Sequence, residues 1–289
     1  MQIFHVHTYR CGHADNVPDE EYVKMALQLG AEEIWFTDHS PFPHDPFGSR
    51  MKIAQLDEYL STLSALKEKY RSIKIHIGLE TEYFPNFDSA GFYEQLRSRK
   101  EIEILLLGQH MAETSCDPPA YSFSESSEYL DANEYKLLGN AILQGISSGY
   151  FYAVAHPDRI FRRCGEWNDD MEDISVRIIQ SAAEADMPLE MNLSSVESPS
   201  LYRTEFWRLV PENGRRMIGF DAHWLEDMRT RYIEVDKRLK CFCLYCHRMN
   251  TFPDRSQFCD AAFFSLFAIY PNANDIAVSD NQSVAVTLQ

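Results

Sequence analysis

Seven short apolar runs alternate along this chain with stretches of helical periodicity, and that alternation narrows the possible folds more than any other feature of the sequence. The runs are Ile3 to Val6, Glu33 to Thr37, Ile73 to Leu79, Ile102 to Leu107, Tyr152 to Ala155, Pro188 to Asn192 and Met217 to Phe220. Each has the length and β-branched or aromatic content of a strand buried on both faces. Between them, Val23, Ala26, Leu27 and Leu29 follow the start signal Pro18-Asp19-Glu20-Glu21 and stop at Gly30, the usual punctuation of a helix. Leu56, Tyr59, Leu60, Leu63 and Leu66 recur at helical spacing, as do Ile174, Ile178, Ile179 and Ala182. Further helices are expected over Phe92 to Arg97, Tyr129 to Ser148 and Tyr202 to Val210. Repeated strand-then-helix units argue for a parallel sheet covered by helices, an α/β fold, and seven of them are most simply arranged as a closed or nearly closed barrel.

At 289 residues the chain suits one α/β barrel domain. The barrel pattern runs over residues 1–234. After it the character changes, Lys240 to Asn250 being crowded with cysteines and aromatics and Gln257 to Gln289 turning from apolar to Asn- and Ser-rich. Residues 235–289 read as a tail appended to the same domain. Two loops stand out: Ser40 to Met51, rich in proline, and a polar stretch from Ala112 to Ser127 of the length that functional lids have.

Six of the seven runs end in a titratable residue: His5 and His7, His39, Glu80, His110, His156, and Asp221 with His223. In a parallel barrel the C-terminal strand ends converge on one mouth, so side chains over two hundred positions apart can share a site. His5 and His7 alternate with Phe4 and Val6, which puts both imidazoles on one side of a strand about 6.6 Å apart, and His13 follows in the next turn. Neutral imidazole is the commonest metal ligand. A histidine-rich N-terminal stretch without function is the plain alternative for those three alone; the recurrence at the other strand ends argues against it. His44, His76 and His247 fit no such pattern and receive no role.

The balance of 27 basic against 44 acidic residues, a formal charge of -17, repels nucleic acid and anionic membranes unless a local positive site intervenes. No apolar run approaches the roughly 20 residues needed to span a bilayer, and no basic segment followed by an apolar one opens the chain. A cytoplasmic protein is expected. Its seven cysteines are odd in number and unevenly spaced, unlike a secreted disulfide framework, and read as reduced thiols. Cys243-Leu244-Tyr245-Cys246-His247 matches the haem-attachment spacing and, with Cys241, could suggest a small zinc site. Haem attachment belongs to exported proteins and the zinc set lacks a second ligand pair, so neither reading is adopted.

At these residues the chain resembles the polymerase and histidinol phosphatase (PHP) family of metal-dependent phosphoesterases. The motifs that carry the resemblance are His5-Val6-His7, Asp38-His39, Glu80, His110, His156-Pro157-Asp158 and Asp221-Ala222-His223, in the family's order. His7-Thr8-Tyr9-Arg10-Cys11-Gly12-His13, Gly108-Gln109-His110 and Ala155-His156-Pro157-Asp158 look like its histidinol-phosphatase branch. The resemblance implies a distorted, TIM-like (β/α)7 barrel with three divalent transition-metal ions, Zn, Fe or Mn, at the C-terminal strand ends. Carried over position by position, His5, His7, Glu80 and Asp221 would hold the first ion, Glu80, His110 and His156 the second, and His13, His39 and His223 the third. Glu80, Asp221 and His223 are the positions it places in catalysis.

Such a cluster keeps roughly three positive charges by formal counting after its carboxylates and a bridging hydroxide are subtracted, which suits a phosphate monoester dianion. The implied reaction is hydrolysis of a phosphomonoester, L-histidinol phosphate in this branch, by water activated on the ions. Rival readings are a phosphatase or phosphodiesterase of the same family acting on another small substrate such as a nucleotide, and a non-catalytic barrel associated with nucleic acid. The complete ligand set and the acidic balance oppose the last.

Arginine is the usual phosphate clamp because its planar fork binds two oxygens. Arg159, Arg162, Arg163 and Arg203 are the candidates, with Arg10 and Arg50 behind them. Asp38 and Asp158 adjoin metal-binding histidines and suit either orientation of an imidazole or a helix-cap or loop role. Asn192 to Pro199 departs from the Gly- and Arg-containing version of that stretch expected in the phosphatase branch. The departure concerns the substrate side of the site, not its metal side.

Overall fold

The computed structural model describes residues 1–116, 119–122, 128–198 and 200–248, with only the backbone at 116, 128–132 and 240–248. In chain order the elements are β1 (Gln2–Val6), α1 (Asp19–Leu29), β2 (Glu33–His39), α2 (Leu56–Lys69), β3 (Lys74–Thr81), α3 (Pro85–Ser89), α4 (Phe92–Ser98), β4 (Ile104–Leu107), β5 (Glu113–Cys116), β6 (Pro119–Tyr121), α5 (Glu128–Ser148), β7 (Ala153–Val154), α6 (Asp169–Glu184), β8 (Leu189–Asn192), α7 (Leu193–Val196), α8 (Thr204–Leu209), β9 (Arg216–Gly219) and α9 (Leu225–Arg248).

Seven strands form one sheet in the order β1, β2, β3, β4, β7, β8, β9, every pair parallel. The sheet closes on itself. Beyond the end of β9, Val6 bridges Ala222 in parallel, and three hydrogen bonds seal the seam: Phe220 N to Phe4 O at 2.7 Å, His7 N to Ala222 O at 3.0 Å and Ala222 N to His5 O at 3.1 Å. The expected (β/α)7 barrel is the observed fold.

Alternation along the strands sorts the side chains. Ile34 and Phe36 of β2, Ile75, Ile77 and Leu79 of β3, and Leu105 and Leu107 of β4 face outward into the layer of helices, because successive residues of a strand point to opposite faces. Leu56, Tyr59, Leu60, Leu63 and Leu66 of α2 meet them, each fully buried large apolar side chain contributing about 1.5 to 3 kcal/mol. The barrel interior holds a small second core of Phe4, Ile104, Leu106, Ala153 and Ala155, flanked by Trp35 and Met217. That plug divides the barrel into two mouths.

The structure adds to the sequence reading in three places. The polar stretch from Ala112 to Ser127 contains an antiparallel strand pair, β5 with β6. The first strand is not regular: its register against β2 shifts between Ile3 and Val6, and His5 there has φ 70°. Residue 234 lies inside α9, which runs across it without a break, and Val235 is buried in the core. Cys241, Cys243, Cys246 and His247 fall where only the helical backbone is described, and residues 249–289 lie outside the described residues. Among the described residues no helix is long and apolar enough to cross a membrane, and Cys11 and Cys164 are free thiols.

Candidate metal centre

Glu80 is the centre of the C-terminal mouth. It lies on the inner face of β3 and is completely buried, with five imidazoles converging on its two oxygens. Oε1 is 2.8 Å from His156 Nε2 and 3.6 Å from His110 Nε2, and Oε2 is 3.0 Å from His39 Nδ1, 3.4 Å from His5 Nε2 and 3.6 Å from His7 Nε2. Room for the carboxylate comes from Gly108, where a Cβ would meet Glu80 Oε1 at 2.0 Å. Asp221 closes the far side, its Oδ1 3.2 Å from His7 Nε2 and 3.5 Å from His223 Nδ1. His7 and His223 stack at 4.0 Å between ring centroids, and His13 lies 4.6 Å from His223 and 5.2 Å from His39.

All nine candidate ligands therefore belong to one continuous cluster. Ligand atoms of His13, His39 and His223 lie within 4.8 Å of one another, as do those of His5, His7 and Glu80, and of His39, Glu80 and His110. His39 thus borders both the second and the third expected positions. Cys11 Sγ lies equally near ring nitrogens of His7 and His223. Burial first, with the nearby Asp38 charge, pushes that thiol up to about 12, so without a cation it is protonated.

Electrostatics decide what this cluster accepts. His5 Nε2, both nitrogens of His7, Glu80 Oε2 and His223 Nε2 are buried without a hydrogen-bond partner, a condition that costs about 1 to 3 kcal/mol per group unless something fills it. Burial opposes the charge on Glu80, yet His110, His5 and His39 overcome it and hold the carboxyl well below its usual range. Burial also opposes protonation of His7, but the carboxylates of Asp221 and Asp38 beside its ring lift it to about 9. His39, lowered to about 3 by burial and the His7 charge, and His156, lowered to about 4 by burial and Arg159, stay neutral. Carboxylates kept ionised, neutral imidazoles at His39 and His156 and buried ring nitrogens without hydrogen-bond partners fit divalent cations.

Three buried carboxylates orient the imidazoles from behind, as such partners do around metal sites. Asp38 accepts from the Thr8 hydroxyl, accepts from His39 N at 2.8 Å and lies 3.5 Å from His7 Nδ1. Glu190, on the inner face of β8, is 2.7 Å from His5 Nδ1 and accepts from His156 N at 3.2 Å. Gly219 makes its space, since a Cβ there would meet Glu190 Oε1 at 1.7 Å. Glu82 is 3.1 Å from His110 Nδ1 and takes a bidentate pair from Arg50 at 2.7 and 3.0 Å. Sequence reading assigned Glu82 and Glu190 no role, although a signal existed: Glu82 shares a face with Glu80, and Glu190 is a charge inside an otherwise apolar strand. Asp158 orients no imidazole. It accepts from Arg203 N at 2.9 Å and Trp207 Nε1 at 3.0 Å, which makes it an anchor for the start of α8.

Three of the candidate ligands, His5, His156 and Asp221, have φ of 70°, 31° and 47°. Such left-handed backbone costs a non-glycine residue roughly 1 to 3 kcal/mol and is held by its surroundings.

The arginines divide sharply. Arg159 reaches the cluster: Nη2 donates to Asp221 Oδ2 at 2.9 Å, to Asn192 Oδ1 at 3.1 Å and to Ser195 Oγ at 3.0 Å, and Nε donates to Ser195 Oγ at 3.2 Å. Arg162 donates to His110 O at 3.0 Å and Glu134 at 2.8 Å, and Arg163 lies 3.3 Å from the same glutamate. Arg203 donates to the carbonyls of Phe161, Cys164 and Gly165, tying the turn after His156 to α8 and away from a substrate role. Arg10 is held by Asp19 and Glu58, and Arg50 by Glu82. Those three guanidiniums are engaged within the protein.

A closed seven-stranded α/β barrel with a histidine and carboxylate cradle at the C-terminal strand ends defines a metal-binding barrel protein. The profile of the PHP domain family matches residues 4–194, and the chain belongs to that family. A Deinococcus radiodurans protein named a probable histidinol-phosphatase is 26% identical over 82% of this chain and 91% of its own length. Bacillus subtilis histidinol-phosphatase is 38% identical over 29% of this chain and 34% of its own. Among solved structures, a Listeria monocytogenes protein designated a histidinol phosphatase superposes with a TM-score of 0.65 at 19% identity, covering 78% of this chain and 97% of that one. Histidinol phosphate phosphatase from Lactococcus lactis, solved with zinc, L-histidinol and phosphate, gives 0.56 at 21% identity, covering 81% and 92%. These two likenesses establish the barrel.

Proposed function

We propose that this protein is a metal-dependent phosphomonoesterase that hydrolyses L-histidinol phosphate to L-histidinol and phosphate, a step of histidine biosynthesis carried out in the cytoplasm. The observation that carries the reading is the convergence of five imidazoles on Glu80 with Asp221 alongside. The names of the Deinococcus and Bacillus relatives, and the zinc, histidinol and phosphate of the Lactococcus protein, supply the substrate and the metal type.

In this reading His5, His7, Glu80 and Asp221 hold one ion, Glu80, His110 and His156 a second, and His13, His39 and His223 a third, with Zn, Fe or Mn preferred by so many imidazoles. Ions held there supply Lewis acidity, lowering the pKa of water and neutralising phosphoryl oxygens. The protein's own contribution is orientation. Asp38, Glu82 and Glu190 fix three rings, and Glu80 turns one oxygen toward His110 and His156 and the other toward His5, His7 and His39. Arg159 is the phosphate clamp. Its Nη2 is fixed on Asp221, a member of the same cluster, which brings the guanidinium to the edge of the mouth.

A second reading has one observation behind it. The stretch from Asn192, which departs from the phosphatase-branch pattern, contributes Asn192 and Ser195 to the grip on Arg159, so the substrate side is built differently and could take another small phosphorylated compound such as a nucleotide. Phosphate release by metal-loaded protein from histidinol phosphate, nucleotides and sugar phosphates tests both. Preference for histidinol phosphate supports the first reading, preference for a nucleotide the second, and no release from any of them sinks the phosphatase assignment.

A further inference from the structure

Asp221 is held from outside the barrel by a residue that lies beyond both the strand motifs and the family match. Arg231, on α9, is 6% exposed. Its Nη1 donates to two consecutive carbonyls, Phe220 O at 2.7 Å and Asp221 O at 2.9 Å, while its Nε and Nη2 pair with Glu197 at 2.9 and 2.6 Å. Consecutive carbonyls of an extended strand point to opposite sides, so one nitrogen can take both only if the chain turns between them. That turn is Asp221 itself, at φ 47°.

We infer that Arg231 is a positioning residue for the metal centre, locking the Phe220-Asp221 peptides so that the Asp221 carboxylate and His223 both face the cluster. The geometry makes the two features interdependent. The left-handed turn gathers the carbonyls, and the cation keeps them gathered against their mutual repulsion. Glu197 then fixes the guanidinium plane through a bidentate pair, so the grip on a ligand of β9 is set from the end of α7 and from α9. Relaxation of Asp221 toward extended backbone would swing its Oδ1 away from His7 and carry His223, two residues on, with it.

The inference rests on the reading of Asp221 as a metal ligand, and the test separates the two. Zinc affinity is measured by competition with a chromophoric chelator, and the visible absorption of Co(II)-loaded protein reports coordination, for wild type, Arg231→Met, Arg231→Lys and Glu197→Gln. The Met variant should stay folded by circular dichroism, bind its weakest ion about 10-fold less tightly and show an altered Co(II) spectrum. Lys, which lacks the fork, should fall between it and wild type, and Glu197→Gln should show a smaller shift in the same direction. Arg231→Met with wild-type affinity and spectrum overturns the inference. If that variant does not fold, unchanged affinity and spectra in both Arg231→Lys and Glu197→Gln overturn it equally. Wild-type protein that takes up neither metal overturns the underlying ligand assignment instead.

Discussion

The two mouths of the barrel carry the same residue types and reach opposite outcomes. His76 and Glu80 lie four residues apart on the inner face of β3, about 13 Å along the strand, with the small interior core between them. At the N-terminal mouth His76 Nδ1 is 2.7 Å from Glu103 and Nε2 is 3.4 Å from Glu33, the kind of histidine and carboxylate grouping that suggests a metal site. Each of those glutamates already has a lysine, Lys67 at 2.7 Å from Glu103 and Lys74 at 2.6 Å from Glu33. Both are partly exposed, and Trp35 stacks on the imidazole at 3.7 Å. At the C-terminal mouth Glu80 is buried, no lysine pairs with it among the described residues, and the groups that hold its charge are imidazoles. Residue type does not make a cation site. Burial, together with the absence of a competing cation, does.

The largest expected effect separates the mouths directly. Glu80→Gln keeps size but removes charge and one good ligand oxygen from the centre of the cluster; turnover should fall at least about 1,000-fold with the circular dichroism spectrum retained. Glu103→Gln at the other mouth should leave steady-state activity within about twofold. Near wild-type activity in Glu80→Gln would remove it from the bridging position, and a large loss in Glu103→Gln would break the contrast.

Arg159→Ala should raise KM and lower kcat/KM by about 10- to 100-fold, roughly 1.4 to 2.8 kcal/mol of transition-state binding. Elemental analysis of the same preparation decides how. Retained metal assigns the loss to the phosphate clamp; metal lost in parallel assigns it to the grip on Asp221 Oδ2.

A pH effect should follow from the neutral imidazoles. His156 in the folded protein is lowered from 6.5 to about 4, by burial and Arg159, so on acidification the unfolded chain takes up its proton first. Its contribution to stability is complete above pH 6.5 and is lost as pH falls toward 4, and His39, lowered to about 3, acts in the same direction. Chelator-treated protein should lose about 2 to 3 kcal/mol over that window from His156, read from denaturant midpoints. His7, raised to about 9, has the opposite sign, its contribution being complete below pH 6.5 and lost as pH rises through 9. A flat profile between pH 7 and 4 would show that the rings are not held neutral.

His76→Gln should be nearly silent, shifting stability by less than about 1 kcal/mol, as expected for part-exposed pairs, with metal content unchanged. Loss of a metal equivalent would reveal a site at the N-terminal mouth after all.

The strand ends were legible because a buried parallel strand is a run of apolar residues, so a histidine or glutamate ending it is conspicuous. The same logic hid Glu82 and Glu190. Each is a single charge whose meaning depends on facing inward toward His110 or His5, and only the barrel's alternation and closure decide that. The arginines were harder still. Arg159 and Arg203 were both candidate clamps, yet one reaches Asp221 and the other is held by three backbone carbonyls. Side-chain reach of that kind depends on which acceptors the fold brings near, and no sequence pattern encodes it.

By itself the sequence determined the seven barrel strands, their parallel arrangement, most of the helices between them and the titratable residues that end the strands, because periodicity and burial are local properties of a chain. Tertiary structure alone decided that Val6 meets Ala222 to close the barrel, that Glu82 and Glu190 stand behind the ligands, and that Arg231 holds Asp221 in its turn. Those contacts join residues up to 216 positions apart, and their energies depend on distances that exist only once the sheet has curled round.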